Sequence, residues 1–240
     1  MGTAEQALKD LQIAGRPERV ESTERFFKAY PGGYSDGDRF LCAGVPATRR
    51  IARLYGDLPP DEVALLLASE WHDARLLAVI ILVERFKRAD EAGRRTIHGF
   101  YMERIDRVNN WDLVDVSAEH VVGRYLDNKP QKMQVLTALA TSDVLWNRRI
   151  AMIATFAYIK DGRSDEALVI TKLLLNDTHD LMHKAVGWML REVGKRVSRA
   201  DLVQFLDEYA ATMPRTTLRY ATEHLPPERR AYYLALRRTV

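Results

Sequence analysis

The 240-residue sequence predicts an all-α protein: a HEAT-like helical-repeat solenoid, a curved superhelix of antiparallel helix pairs. Strand-like alternation is nearly absent, whereas apolar residues recur at spacings of three and four along most of the chain. Small residues on these apolar faces return at separations of 39, 34, 36 and 34 residues, at Ala78, Ser117, Ala151, Gly187 and Ala221. A period near 35 is typical of stacked helical pairs. An ordinary helical bundle is the alternative, and we expect one domain over residues 1–240.

Local sequence signals mark the helices and loops along the chain. The segment YPGGYSDGD at 30–38 is the most loop-like. PPDEVALLLASE has Pro near a first turn and acids close behind, which is typical of a helix N-terminus. ARLLAVIILVERFKR follows with a helical apolar repeat. Short breaks at DNKP, KDGRSD, NDTHD and LPPE separate further predicted helices near 94–108, 111–126, 131–141, 146–160, 165–175, 180–196, 199–211, 215–224 and 228–238.

Composition excludes several classes of protein. No apolar run approaches the roughly 20 residues that span a bilayer, and the N-terminus lacks the pattern of a signal peptide, so we expect a cytoplasmic protein. A lone Cys42 allows neither an internal disulfide nor a thiolate metal site. The net charge of +3 is too small to indicate nucleic acid. Residues 184–240, however, hold 11 Lys/Arg against 6 Asp/Glu, which favours either a phosphate-binding surface or a solvated helix face.

The stretch NNWDLVD begins a predicted helix with more than a cap. Asn109 or Asn110 can accept a hydrogen bond from a first-turn amide, and Asp112 suits the positive end of the helix dipole. Trp111 and Asp115 lie four residues apart and therefore share one helix face. Capping does not require this pair. Taken alone, the pair is weak evidence, since a core tryptophan and a salt-bridged carboxylate would give the same pattern.

Two basic segments add to this pattern. In LWNRRIAMIATF, Arg148 and Arg149 fall in the first helical turn, where a cation is unfavourable, so we expect at least one to face an anion. In HKAVGWMLREVGKR, Trp188 has Lys184 four residues before it and Arg191 three residues after it. Basic residues beside an aromatic ring can hold phosphates while the ring lies against sugar or base. Intramolecular salt bridges and a buried core tryptophan are the alternatives.

WDLVD, WNRR before an apolar helix, and KAVGWMLRE, in this order and spacing, resemble the AlkD-type DNA alkylation repair glycosylases. The resemblance covers roughly residues 20–225 and implies a HEAT-like solenoid. It implies that Asp115 is the catalytic carboxylate, Trp111 and Trp188 the active-site tryptophans, and Arg149 the active-site arginine. Arg149 fits better than its neighbour because the family pattern W-x-x-R begins here at Trp146.

The resemblance also implies an activity. Such an enzyme is a monofunctional N-glycosyl hydrolase that excises positively charged N3- or N7-alkylated purines from double-stranded DNA without base flipping. It acts as a monomer without a cofactor or metal, and its carboxylate stabilises an oxocarbenium-like sugar. Whether small methyl or bulky adducts are removed stays open, since Val45 stands where the family often has a polar residue. Further DNA contacts are expected at Arg148, Lys184, Arg191, Lys195, Arg219 and Phe26, with core packing as the alternative for Phe26.

The sequence also allows a metal site and a second function. His179 and His183 have a spacing that suits one metal ion, but no third ligand stands out, so we expect none. A noncatalytic HEAT-like module that binds DNA or a protein is the second function. A module that had lost catalysis should have lost the carboxylate first, whereas Trp111, Asp115, Arg149 and Trp188 are all present.

Overall fold

The computed structural model describes residues 2–236, which are helical apart from loops and one isolated bridge between Arg39 and Trp71. The helices are α1 Ala4–Ile13, α2 Val20–Phe27, α3 Val45–Leu54, α4 Pro60–Ala68, α5 His72–Arg88, α6 Glu91–Glu103, α7 Trp111–Ala118, α8 Arg124–Leu126, α9 Lys132–Ala140, α10 Leu145–Ala154, α11 Phe156–Lys160, α12 Asp165–Leu174, α13 Asp180–Arg196, α14 Arg199–Tyr209, α15 Arg215–Ala221 and α16 Pro227–Ala235. Short 3₁₀ turns cover Pro17–Arg19 and Ile105–Arg107, and a π-helical segment covers Glu119–Gly123. The predicted all-α helical-repeat fold is confirmed.

The helices predicted from periodicity are present, with small shifts at their ends. Two predicted helices are divided: the helix near 111–126 into α7, the π-helical segment and α8, and the helix near 146–160 into α10 and α11 at Thr155. Positions 237–238 of the last predicted helix lie outside the described residues. The Thr155 side chain is fully buried and its Oγ1 donates to the carbonyl of Met152 at 2.7 Å. A hydroxyl that bonds a carbonyl of the preceding turn competes with the regular helical ladder, and this bond accompanies the break.

The chain divides into two compact units, residues 1–117 and 118–240. In the first unit, α5 is the central helix: it packs against α1, α3, α4 and α6, and its residues from His72 to Val83 are all buried. Its first turn buries three ionisable side chains, of His72, Asp73 and Arg75, which is unusual in an otherwise apolar core. Such groups require partners, and those partners belong to the site described below.

In the second unit, α13 is central and packs against α10, α12, α14 and α15. Gly187 lies where α13 meets α15, and a Cβ atom there would fall 2.6 Å from both the carbonyl oxygen of Thr217 and the Cβ of Tyr220. The absence of a side chain therefore allows the two backbones to approach closely. Along residues 2–236, none of the helices has both the length and the apolarity needed to cross a membrane.

Candidate active site

An aromatic cluster supports Trp111 at the start of α7. The Trp111 ring stacks on Phe27 with centroids 5.4 Å apart and planes inclined by 14°. Phe26 meets the same ring edge-on at 5.9 Å and is 65% exposed, so the alternative of core packing is wrong for Phe26. On its other side Phe27 stacks on buried Phe40, at 5.0 Å. Trp111 itself is half-buried, held by its neighbours while part of its surface stays accessible.

A buried group of polar residues, the His72 network, lies beside this cluster. It comprises Asp38, His72, Arg75, Asn110 and Asp112. The Nε2 atom of His72 lies 2.8 Å from Oδ2 of Asp112, and its Nδ1 lies 3.6 Å from Oδ2 of Asp38. Arg75 donates to the other oxygen of Asp38 at 2.6 Å. The network thus links the loop before residue 39, the start of α5 and the first turn of α7.

The charges in this network shift the acid–base behaviour of its members. Burial disfavours the charged form of His72, but the charge and hydrogen bond of Asp112 and the nearby carboxylate of Asp38 outweigh it and raise its pKa from 6.5 to about 9. Burial likewise opposes ionisation of Asp38, yet His72, Arg75 and Asn110 hold the pKa of that carboxyl below its usual value. His72 is therefore an imidazolium at neutral pH, with each ring nitrogen turned toward a carboxylate.

Asn110 fixes the beginning of α7. Its Oδ1 accepts a hydrogen bond from the backbone N–H of Trp111 at 2.8 Å. Of the two candidates, Asn109 and Asn110, it is therefore Asn110 that bonds the first turn of the helix. The Asn110 side chain is fully buried, and its Nδ2 donates to Ser35 at 2.6 Å and to Asp38 at 3.2 Å. The loop at 30–38, predicted from its turn residues, thereby supports the start of α7.

Asp115 lies one helical turn after Trp111 and is half-buried on α7. The residues between them, Leu113 and Val114, are fully buried, as expected for the apolar side of the helix. Asp112, expected only to favour the helix dipole, has a second role as the partner of His72. The seven-residue stretch that begins α7 therefore holds a cap, an ion-pair partner and two half-buried groups whose roles capping does not explain.

The second unit contains the arginine pair of α10. Arg149 is 5% exposed, and its Nη1 donates to the carbonyl of Leu181 at 2.7 Å, so its guanidinium is held by the protein rather than extended into solvent. Arg148 donates from Nε to Asp177 at 2.6 Å and from Nη1 to the carbonyls of residues 142–143. At least one arginine of the pair thus faces an anion, as expected, and the anion that Arg148 faces is a carboxylate of the chain.

Trp188 of α13 is half-buried, with its ring 5.7 Å from that of Phe156. The basic residues predicted beside it form intramolecular ion pairs: Lys184 with Asp180 at 2.7 Å, and Arg191 with Glu192 and Glu223. Two further predicted DNA contacts, Lys195 and Arg219, are exposed side chains of α13 and α15.

The sequence matches the model of the DNA alkylation repair enzyme family over residues 7–225. The chain belongs to the DNA alkylation repair enzyme family. A solved structure described as a predicted DNA alkylation repair enzyme from Enterococcus faecalis is similar in fold, with a TM-score of 0.68 over 89% of this chain and 97% of that one, at 13% sequence identity. No curated protein matches the sequence. Membership of the family supports an enzymatic role in DNA repair.

The histidine pair of this family member forms local hydrogen bonds. Nδ1 of His179 accepts from the backbone N–H of Leu181 at 3.2 Å, and Nε2 of His183 donates to the carbonyl of Asp177 at 2.6 Å. Across residues 2–236, no group of three or more His, Cys, Asp or Glu side chains is arranged to hold a metal ion.

Sequence reasoning missed His72 in this repair protein, and with it Asp38 and Arg75. His72 and Asp112 are 40 residues apart, so no local pattern connects them. A signal was present nonetheless, because HDAR directly precedes an unbroken apolar run over residues 76–83. Ionisable residues on a helix that must be buried require partners of opposite charge elsewhere in the chain.

Proposed function

We propose that this member of the DNA alkylation repair enzyme family is a monofunctional DNA glycosylase. It excises N3- and N7-alkylated purines from double-stranded DNA by cleaving the N-glycosidic bond, without flipping the base and without a cofactor. An alkylated purine already carries a positive charge, so its glycosidic bond is weakened. As that bond breaks, the deoxyribose gains oxocarbenium character. Groups that stabilise a cation are therefore the ones that this reaction requires.

The observation that carries the proposal is the pairing of Trp111 and Asp115 on α7. Both are half-buried, they are one helical turn apart, and Trp111 is fixed by stacking on Phe27. A carboxylate placed before the reaction begins stabilises developing positive charge without having to reorient. An indole ring attracts cations through its electron-rich face. Asp115 accordingly stabilises the sugar cation and orients the attacking water, while Trp111 lies against the deoxyribose.

The remaining roles of the proposal belong to residues of α10, α13 and α15. Trp188 is a second ring against the sugar, and its half-buried position beside Phe156 supports a fixed orientation. Arg149 holds a backbone phosphate near the lesion; because it is 5% exposed and donates to the carbonyl of Leu181, the phosphate must reach the small part of the guanidinium that stays accessible. Lys195 and Arg219 contact phosphates from exposed positions.

The other proposed DNA contacts differ in what binding requires of them. Phe26, which is 65% exposed, can contact DNA as it stands. Arg148, Lys184 and Arg191 already pair with carboxylates of the chain, and a phosphate must share or replace those partners. Since phosphate contacts release condensed counterions, we expect the affinity for undamaged DNA to fall as salt rises.

A base-release assay tests the proposal. Duplex DNA with a single 7-methylguanine or 3-methyladenine is incubated with excess protein, and the free base is measured by chromatography. We expect Asp115→Asn to lower the single-turnover rate by on the order of 100-fold or more, the scale found when one transition-state electrostatic contact is removed. Affinity for undamaged duplex should be nearly unchanged.

Asp106→Asn is the matched control, because Asp106 is an exposed carboxylate of the same unit outside the site. It should retain the full rate. DNA binding without release of methylated bases or of bulky purine adducts would instead identify a noncatalytic DNA-binding solenoid. Equal losses of rate and affinity in Asp115→Asn would identify a folding role for Asp115.

A further inference from the structure

A charged histidine with no assigned role lies beneath the first turn of α7. We propose that His72 is a positioning residue for the reaction: it holds Asp112 and Asp38 together and thereby fixes the first turn of α7, which bears Trp111 and leads to Asp115. The inference rests on the proposed glycosylase function. One of the two experiments that test it, fluorine NMR, does not require activity.

The geometry favours an imidazolium at His72: Nε2 is hydrogen-bonded to Asp112, and Nδ1, which is buried without a hydrogen bond, has the carboxylate of Asp38 as its neighbour. Nε2 lies 2.8 Å from Asp112 and Nδ1 lies 3.6 Å from Asp38, so each nitrogen faces a carboxylate oxygen. A neutral imidazole would turn a lone pair toward one of them. The raised pKa of His72 agrees with this arrangement. The other charged group close to the ring is Arg75 of α5, and Arg107, from the turn before α7, acts on Arg75 in turn.

Stability alone is a poor explanation for this network. His72, Asp38 and Arg75 have side chains that are 4%, 8% and 2% exposed, and Asp112 is 16% exposed. Two basic groups and two carboxylates removed from water must recover a large desolvation cost. Apolar residues of similar volume often give equal or greater stability in such places. What a balanced charged network adds is a defined geometry for the segments that it joins.

The segment that gains this geometry is the one that presents Trp111. Asp112 follows Trp111 directly, and Phe27 packs against both the imidazole, at 5.0 Å, and the indole, at 5.4 Å. Phe40 contacts the imidazole as well, at 4.9 Å. Loss of the imidazolium therefore loosens two supports of Trp111 at once: the ion pair of its neighbour and the ring on which it stacks.

The test combines His72→Gln, Asp112→Asn and the double variant with single-turnover base release on 7-methylguanine duplex. Val63→Ala is the control, because Val63 is a fully buried residue of α4 outside the network, and its truncation lowers stability by another route. We expect His72→Gln to lower the maximal rate by up to about 100-fold, the scale that small misplacements of catalytic groups produce. The half-saturating protein concentration should change little.

Asp112→Asn should show a similar loss, and the double variant should be no slower than the slower single variant, since residues that act through one contact are not additive. The wild-type rate should also fall as alkaline pH deprotonates His72, whereas the rate of His72→Gln should lack that step. An unchanged maximal rate in His72→Gln, an equal loss in Val63→Ala, or multiplying losses in the double variant would overturn the proposal.

Fluorine NMR of protein labelled with 5-fluorotryptophan tests the positioning role without measuring activity. The chain has four tryptophans, and Trp111→Phe identifies the signal of Trp111. We expect this signal to shift or broaden in His72→Gln and to stay in place in Val63→Ala. If the wild-type protein releases no base, the glycosylase assignment fails. The NMR experiment still decides whether His72 positions Trp111. A Trp111 signal that is identical in wild type and His72→Gln would overturn that role.

Discussion

Alkaline pH should destabilise the first unit through a single histidine. The pKa of His72 is raised in the folded protein from 6.5 to about 9, so folding favours the protonated form. The stabilisation is fully present below about pH 6.5 and is lost as the pH rises through about 9. At roughly 1.4 kcal/mol per pKa unit, it amounts to about 3 kcal/mol of unfolding free energy. Because His72 is 3% exposed, solvent screening does not reduce this value appreciably.

The assay is denaturant unfolding of wild type and His72→Gln between pH 6 and pH 10. Glutamine does not titrate, so the difference between the two curves isolates the contribution of His72 from those of Lys, Tyr and Cys groups. Wild type should have its largest advantage near pH 6, and that advantage should shrink by about 3 kcal/mol as the pH rises from about 6.5 to above 9. The Cε1 proton of His72 in the folded protein should titrate with a midpoint near pH 9 in NMR spectra.

A constant stability difference across this range would show that His72 binds no additional proton on folding, and the argument from the two carboxylates would fail. A difference that grows as the pH rises would show that the pKa of His72 is lowered on folding, so that burial outweighs the attraction of Asp112 and Asp38.

Three further predictions concern single contacts. Arg148→Gln should lower the unfolding free energy by about 2 kcal/mol, because Asp177, whose side chain is 4% exposed, loses its cation; unchanged denaturation would contradict this. Asp73→Asn should loosen the loop at 41–43, whose three amides donate to that carboxylate, and should speed thiol labelling of the single cysteine there. Gly187→Ala should cost about 1–3 kcal/mol through a clash with α15. Gly99→Ala, with open space around it in α6, should be neutral or stabilising, and equal melting temperatures for the two would refute the packing argument.

The sequence predicts the helices well because their signal is local. Apolar residues on one face of each helix must be buried, so periodicity marks them regardless of what they pack against. The division at Thr155 was missed because a threonine within an apolar run is tolerated in many helices, and only its buried bond to Met152 shows that the ladder is interrupted. The loop at 30–38 was found from its glycines and proline, but its support of α7 through Asn110 required the tertiary structure.

The candidate site was predictable only where its residues share a helix. Trp111 and Asp115 are one turn apart, and their common face follows from helix geometry alone. Whether a basic residue binds DNA or a neighbouring acid depends on which carboxylates the fold brings near it. Arg148 and Asp177 are 29 residues apart, and Arg191 and Glu223 are 32 residues apart. The sequence therefore indicates that such arginines can form ion pairs within the chain, but it does not identify their partners.

The surroundings of the two tryptophans bear on the choice between an enzyme and a binding module. Tyr101, Tyr158 and Tyr233, aromatic residues of the core, have no exposed surface, whereas Trp111 and Trp188 keep part of theirs, each beside a phenylalanine. A module that only binds DNA needs exposed cations, because phosphate contacts supply most of its affinity. It gains nothing from burying two carboxylates, a histidine and an arginine to fix the first turn of one helix. Such a network is useful where the position of a ring and a carboxylate matters, as it does for a transition state with cationic character, and this favours catalysis over binding alone.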